Sequence, residues 1–152
     1  MIKRAIALSY SAMKDLIRQH PDLLKQQGFI SIIDLDGIKI FDADSPYVVT
    51  LLFDDVLPET VGTLDKVGGR KFKLFDEELA NKVIEFLVAI NENPQVETLY
   101  VNCGAGIARS GAVVTFVQKL YGLDAERFAA DNPYIIPNTW VLRTLQQCWQ
   151  KR

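Results

Sequence analysis

The chain predicts an α/β fold: a single domain over residues 1–152, with a central, largely parallel sheet of about 4–5 strands flanked by helices. Three observations predict it. Short apolar runs of strand length alternate with stretches of helical period. A length of 152 residues with 49% apolar and 24% charged content is enough to bury one core without disulfide staples. No internal repeat or low-complexity segment interrupts the alternation.

The elements follow in order. The first strand is expected over residues 5–8, and the first helix from Ser11, with Met13, Leu16 and Ile17 on one face. That helix ends at His20, because Pro21 disfavours helical geometry in the residue before it. A second strand is expected over 30–35, with Asp36-Gly37 as a turn between the apolar runs 31–35 and 38–41. Residues 48–53 and 98–101 supply two more strands. Between them, Asp76 caps a helix running to Ile90, with Leu79, Val83, Phe86, Leu87 and Ile90 on its apolar face. Residues 111–121 form a more apolar helix, and 138–149 a last one with Val141, Leu142, Leu145, Cys148 and Trp149 in register. The irregular stretch 56–74, which holds Lys66, Arg70, Lys71 and Lys73, reads either as a lid over an anionic substrate or as a solvated loop.

Charge and cysteine usage narrow the function. Seventeen Lys and Arg against nineteen Asp and Glu, with a pI near 5.4, give no global basis for binding nucleic acid or an anionic membrane. Charge returns at Lys14 and Asp15 before any span of signal-peptide or membrane length develops, so a cytoplasmic protein is expected. Two cysteines and one histidine make neither a disulfide framework nor a zinc site.

The chemistry concentrates in VNCGAGIARSGAV, residues 101–113. A β-favouring run leads into it and a helical period leads out, so it joins a strand to a helix N-terminus. Free amides of a first helical turn and of a glycine-bearing curl make a concave anion site there. Cys103 at its start feels the positive helix end and Arg109, both of which favour thiolate. Five residues separate Cys103 from Arg109, enough to wrap Gly104, Ala105, Gly106, Ile107 and Ala108 around a tetrahedral anion. The guanidinium then closes over two of its oxygens. Ser110 can hydrogen-bond the sulfur and ease its departure in a second step.

Cys103-Gly104-Ala105-Gly106-Ile107-Ala108-Arg109-Ser110 resembles the C-x5-R-S/T loop of the cysteine-dependent protein tyrosine phosphatase superfamily. "AGIARS" is most similar to the dual-specificity phosphatase branch, in particular its small bacterial and phage members. Ile135-Ile136-Pro137-Asn138, followed by Trp140, Val141 and Leu145, resembles the I-x-P-N segment that opens the last helix there. The strand ending in Asp54-Asp55 sits where that branch carries its general acid, and the matches span roughly residues 47–150. The resemblance implies attack by Cys103 on phosphorus, oxyanion binding by Arg109 and residues 104–108, and an aspartic acid that protonates the leaving oxygen. It implies no metal and no cofactor. Aligning the strand's apolar residues favours Asp55 as the acid, with Asp54 the alternative; without the loop, the pair reads as a strand end opening a turn.

Two departures from the family pattern matter. Asn102 stands where histidine is usual, and asparagine donates a hydrogen bond but carries no charge, so a less acidic thiol is expected. From residue 55 to residue 103 is 48 positions, longer than in compact members, and the excess falls in 56–74. The rim is expected from residues 35–47, the basic loop and the small side chains of the 104–108 curl. That rim favours a phosphotyrosine, mixed phosphoprotein or small phosphate ester substrate, with inorganic phosphate or another oxyanion able to occupy the loop.

Other readings compete. IIDLDGI, with Asp34 and Asp36, resembles the opening of the magnesium-dependent haloacid-dehalogenase phosphatases, although Ile38 departs from that pattern and the later Lys and acidic pair are missing. Gly104-Ala105-Gly106 resembles half of a dinucleotide fingerprint, but Arg109 stands where its third glycine belongs. A phosphate-recognition module without catalysis is a further alternative. His20 beside Pro21 and Cys148 on an apolar helix face read as structural. Asn138 reads as a helix cap, and the family resemblance implies that its side chain also braces the signature loop.

Overall fold

β2 (Gly28–Ile33) reads GFISII, and every one of its residues is buried. A strand apolar on both faces needs cover on both sides, the situation of an inner strand in a parallel sheet. In the computed structural model, which describes residues 1–61 and 71–152, the other strands are β1 (Arg4–Leu8), β3 (Val48–Leu52) and β4 (Thr98–Asn102). Their order is β1-β4-β2-β3 and every pairing is parallel.

Five helices complete the described chain: α1 (Tyr10–Gln19), α2 (Glu77–Glu92), α3 (Arg109–Leu120), α4 (Ala125–Asp131) and α5 (Thr139–Gln150), with a 3-10 turn at Pro21–Lys25. Local caps set where they start. Ser9 Oγ accepts from the Ala12 amide, Asp76 Oδ1 from Leu79, and Asn138 Oδ1 from Trp140 and Val141. α4 goes beyond the sequence-based expectation. It is capped by Asp124, but none of its residues is buried, so it has no apolar stripe to announce it.

The sheet separates two apolar layers, because successive strand residues point to opposite faces. Ile30, Ile32, Leu99 and Val101 face α2, α3 and α5, where Val83, Leu87, Val113, Val117, Val141 and Leu145 complete the larger core. Phe29, Val48 and Tyr100 face the other way onto Met13 of α1 and Phe41. The Phe29 ring stacks on Tyr100 with centroids 5.3 Å apart.

The turn expected at Asp36-Gly37 is present between the two apolar runs, and residues 38–41 beyond it are irregular. The strand ends at Ile33, the Gly37 amide donates to the Asp34 carbonyl at 2.8 Å, and the chain runs back to enter β3 parallel to β2. Phe41 alone of that run finds a buried place, against Phe29, and Ile38 is left 80% exposed. An apolar run without a backbone partner to pair with has no reason to stay extended.

Candidate active site

The carboxyl ends of parallel strands collect the loops that lead into helices, and the crevice outside them is the usual ligand site of such sheets. β4 delivers Cys103 there, with β1 and β2 on its two sides. Gly106 makes the curl possible: its φ is +76°, and a Cβ on it would lie 2.7 Å from the Leu8 carbonyl carbon and the Ser9 nitrogen. The Cys103 amide donates to the Leu8 carbonyl, and the Tyr10 amide to the Gly104 carbonyl at 2.9 Å, so the β1–α1 junction clamps one side of the loop. The other side is held by residues 135–138. A Cβ on Gly111 would sit 2.7 Å from Ile135 Cγ2, and that close approach lets the Asn138 amide donate to the Ala108 carbonyl at 2.9 Å.

Within this frame the Cys103 thiol is buried, with Ser110 Oγ at 3.1 Å and the Gly106 amide donating to the sulfur at 3.3 Å. Burial pushes the thiol up. That influence is outweighed by the Ser110 hydroxyl, the Ser110 and Gly106 amides and the Arg109 charge, so it sits below its ordinary value. Cys148 is driven the opposite way, raised by burial and by Glu77 against a smaller opposing pull from Lys151. The two thiols of the chain are therefore chemically distinct. Asn102 donates from Nδ2 to the Cys103 carbonyl at 3.3 Å, and its buried Oδ1 has no partner among the described residues. The lowered thiol is thus reached through hydroxyl and amide donors, with no imidazolium beside it.

Arg109 opens α3 and is 7% exposed. Its Nη1 donates to Asp34 Oδ1 at 2.6 Å and to the Phe53 carbonyl at 2.8 Å. Nε is buried without a partner among the described residues, and Nη2 stands 3.6 Å from where a Cβ on Gly104 would be. The amides of Gly104, Ala105, Ile107 and Ala108 likewise take no acceptor among the described residues. A buried unpaired guanidinium N–H costs free energy unless something accepts from it, so this edge and the loop amides offer a set of donors that an oxyanion could take. A cavity of about 130 Å³ lies here, walled by Tyr10, Ile33, Asp34, Ile38, Gly104 and Arg109.

The two aspartates after β3 differ sharply. Asp54 is 3% exposed; its Oδ2 accepts from the Lys73 amide at 2.7 Å, and its own amide donates to the Lys73 carbonyl. Asp55 is exposed, and its Oδ1 accepts from Asn138 Nδ2 at 2.9 Å. Asn138 therefore caps α5, holds the Ala108 carbonyl with its amide, and reaches Asp55 and the Val56 carbonyl with Nδ2. Every candidate site residue except Asp54 and Asp55 lies on the loop itself or is bonded to it directly, and Asp55 joins it through Asn138. Lys66 and Arg70 of the basic stretch lie outside the described residues, and Lys73 Nζ is taken by Asp76 at 2.6 Å.

Asp34 has a place that sequence reasoning missed. It entered the sequence analysis only as a metal-dependent nucleophile, whereas its carboxylate is bonded to Arg109. Its position at the carboxyl end of an apolar strand is the one signal that could have found it. Asp34, Asp36 and Asp54 also bring carboxylate oxygens within 4.8 Å of one another. Tyr10 is the other omission. It anchors the Gly104 carbonyl with its amide and the Ile38 carbonyl with its hydroxyl.

The architecture is that of a dual-specificity phosphatase-like α/β fold. Similar solved structures include human DUSP28, 14% identical with a TM-score of 0.52 over 97% of this chain and 92% of that one. PTPMT1 in complex with PI(5)P is 14% identical, with a TM-score of 0.51 over 96% of this chain and 88% of the other. A leucine rich repeat and phosphatase domain containing protein from Entamoeba histolytica matches at 14% identity and TM-score 0.51, covering 99% and 89%. No family model matches the chain, and no curated protein matches it. No helix among the described residues is long and apolar enough to cross a membrane.

Proposed function

We propose that the protein is a cysteine-dependent phosphatase, one domain over residues 1–152, that hydrolyses phosphate monoesters through a phosphocysteine intermediate. The observation that carries this reading is the pairing of a buried Cys103 sulfur, hydrogen-bonded by Ser110 and Gly106, with the Arg109 Nε that has no partner among the described residues. One supplies the nucleophile and the other the oxyanion clamp. The Cys103 thiolate attacks phosphorus, the S–P bond forms as the ester P–O bond breaks, and the Asp55 carboxyl delivers its proton to the leaving oxygen. Water then attacks phosphorus and gives its proton to Asp55; the S–P bond breaks, and the Ser110 hydroxyl stabilises the departing thiolate. Arg109 and the loop amides hold the equatorial oxygens through both steps.

Phosphotyrosine or mixed phosphoprotein substrates suit the small loop side chains and the apolar wall of Tyr10 and Ile38. Acid-quenching the protein during turnover of para-nitrophenyl phosphate should trap a phosphate adduct on the peptide that contains Cys103, and a chelator should leave the rate unchanged. A second reading has one observation behind it: the Asp34, Asp36 and Asp54 carboxylates stand close enough to hold a divalent cation. Activity that dies with chelator and survives Cys103→Ser would favour it. Tungstate binding without turnover would favour a phosphate-recognition module.

The acid is tested separately. Asp55→Asn is expected to lower kcat by about 10²-fold or more on an alkyl phosphate. Asp54→Asn should instead act on stability, because the Asp54 carboxylate binds the Lys73 amide in a buried place. The reverse pattern would move the acid to Asp54.

A further inference from the structure

A guanidinium carries five N–H donors in one rigid plane. In Arg109 both donors of Nη1 are spent on protein, one on Asp34 Oδ1 and one on the Phe53 carbonyl. Of the three that remain, Nε–H and one Nη2 N–H form the Nε/Nη2 edge, where Nε is buried without a partner among the described residues and Nη2 stands over Gly104. We propose that Asp34 is a positioning residue that holds the Nη1 corner so that the Nε/Nη2 edge faces the phosphoryl group. The inference rests on the phosphatase reading and adds a residue to its machinery.

The geometry separates positioning from competition. A carboxylate that mimicked the substrate would take the two-nitrogen edge as a fork, the preferred carboxylate–arginine arrangement. Asp34 takes the opposite corner and shares it with a main-chain carbonyl. Its own place is fixed by the chain: it follows β2 directly, and its carbonyl accepts from the Gly37 amide. The 34–38 turn is tied to α1 by the Tyr10 hydroxyl on the Ile38 carbonyl, and α1 to the signature loop by the Tyr10 amide on the Gly104 carbonyl. Turn, helix and loop thus close a ring of contacts around one guanidinium. Asp34 is 47% exposed at its side chain while Arg109 is 9% exposed, so the carboxylate can be altered without opening the core.

Charge and geometry act in opposite directions at this pair. The Asp34 carboxylate orients the guanidinium but offsets part of its attraction for an oxyanion. Asp34→Ala loses the orientation. Asp34→Asn keeps an acceptor oxygen on Nη1 and loses only the offsetting charge.

The test measures tungstate affinity by calorimetry, together with kcat and KM on para-nitrophenyl phosphate. Asp34→Ala should weaken tungstate about tenfold and lower kcat/KM by about 10- to 100-fold, the range expected when a reacting group is misplaced. Asp34→Asn should recover most of the kcat/KM loss and bind tungstate at least as tightly as the wild type. In an Arg109→Lys background, Asp34→Ala should cause no further loss, since there is no planar fork left to orient. Wild-type behaviour of Asp34→Ala, equal damage from Asn and Ala, or additive losses in the Arg109→Lys background would each overturn the proposal. Tungstate reports on the guanidinium without turnover. A protein that binds tungstate in this pattern yet hydrolyses nothing overturns the phosphatase reading alone, whereas one that never binds it overturns both.

Discussion

Cys103→Ser is expected to lower kcat by on the order of 10⁴-fold or more, the scale of loss when a covalent nucleophile is removed. The cause is specific to this loop. The Ser110 hydroxyl and the Ser110 and Gly106 amides, together with Arg109, bring a buried thiol below its ordinary value, and a serine hydroxyl in the same place stays protonated at any working pH. The direction also sets the pH dependence. Thiolate is the reactive form, so kcat/KM stays high above the lowered Cys103 pKa and falls about tenfold per pH unit beneath it. Ser110→Ala removes the largest of the lowering influences, so its acid limb should move to higher pH. Alkylation by iodoacetamide should follow the same limb at Cys103, while Cys148, raised by burial and by Glu77, reacts more slowly at neutral pH. An acid limb that ignores Ser110→Ala would remove the thiolate from the mechanism.

Arg109→Lys is the second large effect, with an expected loss in kcat/KM of about 10²- to 10³-fold. Lysine keeps the charge but not the plane: it cannot anchor on Asp34 and the Phe53 carbonyl and still present two donors to one phosphoryl group. The expected signature is a fall in kcat together with a rise in KM and weaker vanadate inhibition. Stability should fall as well, because the buried Phe53 carbonyl loses its charged donor. That costs about 1–3 kcal/mol, and each kcal/mol corresponds to about 2–4 °C in Tm for a domain of this size. A Lys variant with wild-type vanadate affinity would mean that the guanidinium edge is not the oxyanion clamp.

The legible parts of this protein are those governed by local rules. Asp76 and Asn138 stand as caps where their side chains suggested, since an N-cap needs only a short polar side chain and the first helical amides. The parallel sheet was visible in the alternation of short apolar runs with stretches of helical period, and the strand–loop–helix at 98–120 in its composition. The turn at Asp36-Gly37 was legible from its residues, but not that beyond it Phe41 and Ile40 pack onto the second core while Ile38 stays exposed. α4 went unseen because it has no fully buried residue, and Phe128 alone packs against the main core from its short span.

By itself the sequence determined the fold class, the ends of the main helices and the position of one anion-binding loop, because periodicity, capping and glycine placement act within a few residues of the chain. Only the tertiary structure decided which groups meet around that loop. Asp34 reaches Arg109 across 75 positions, and Asn138 reaches Asp55 across 83. Such pairs are set by strand order and by where the carboxyl ends of β2, β3 and β4 converge, information that no short window of sequence contains.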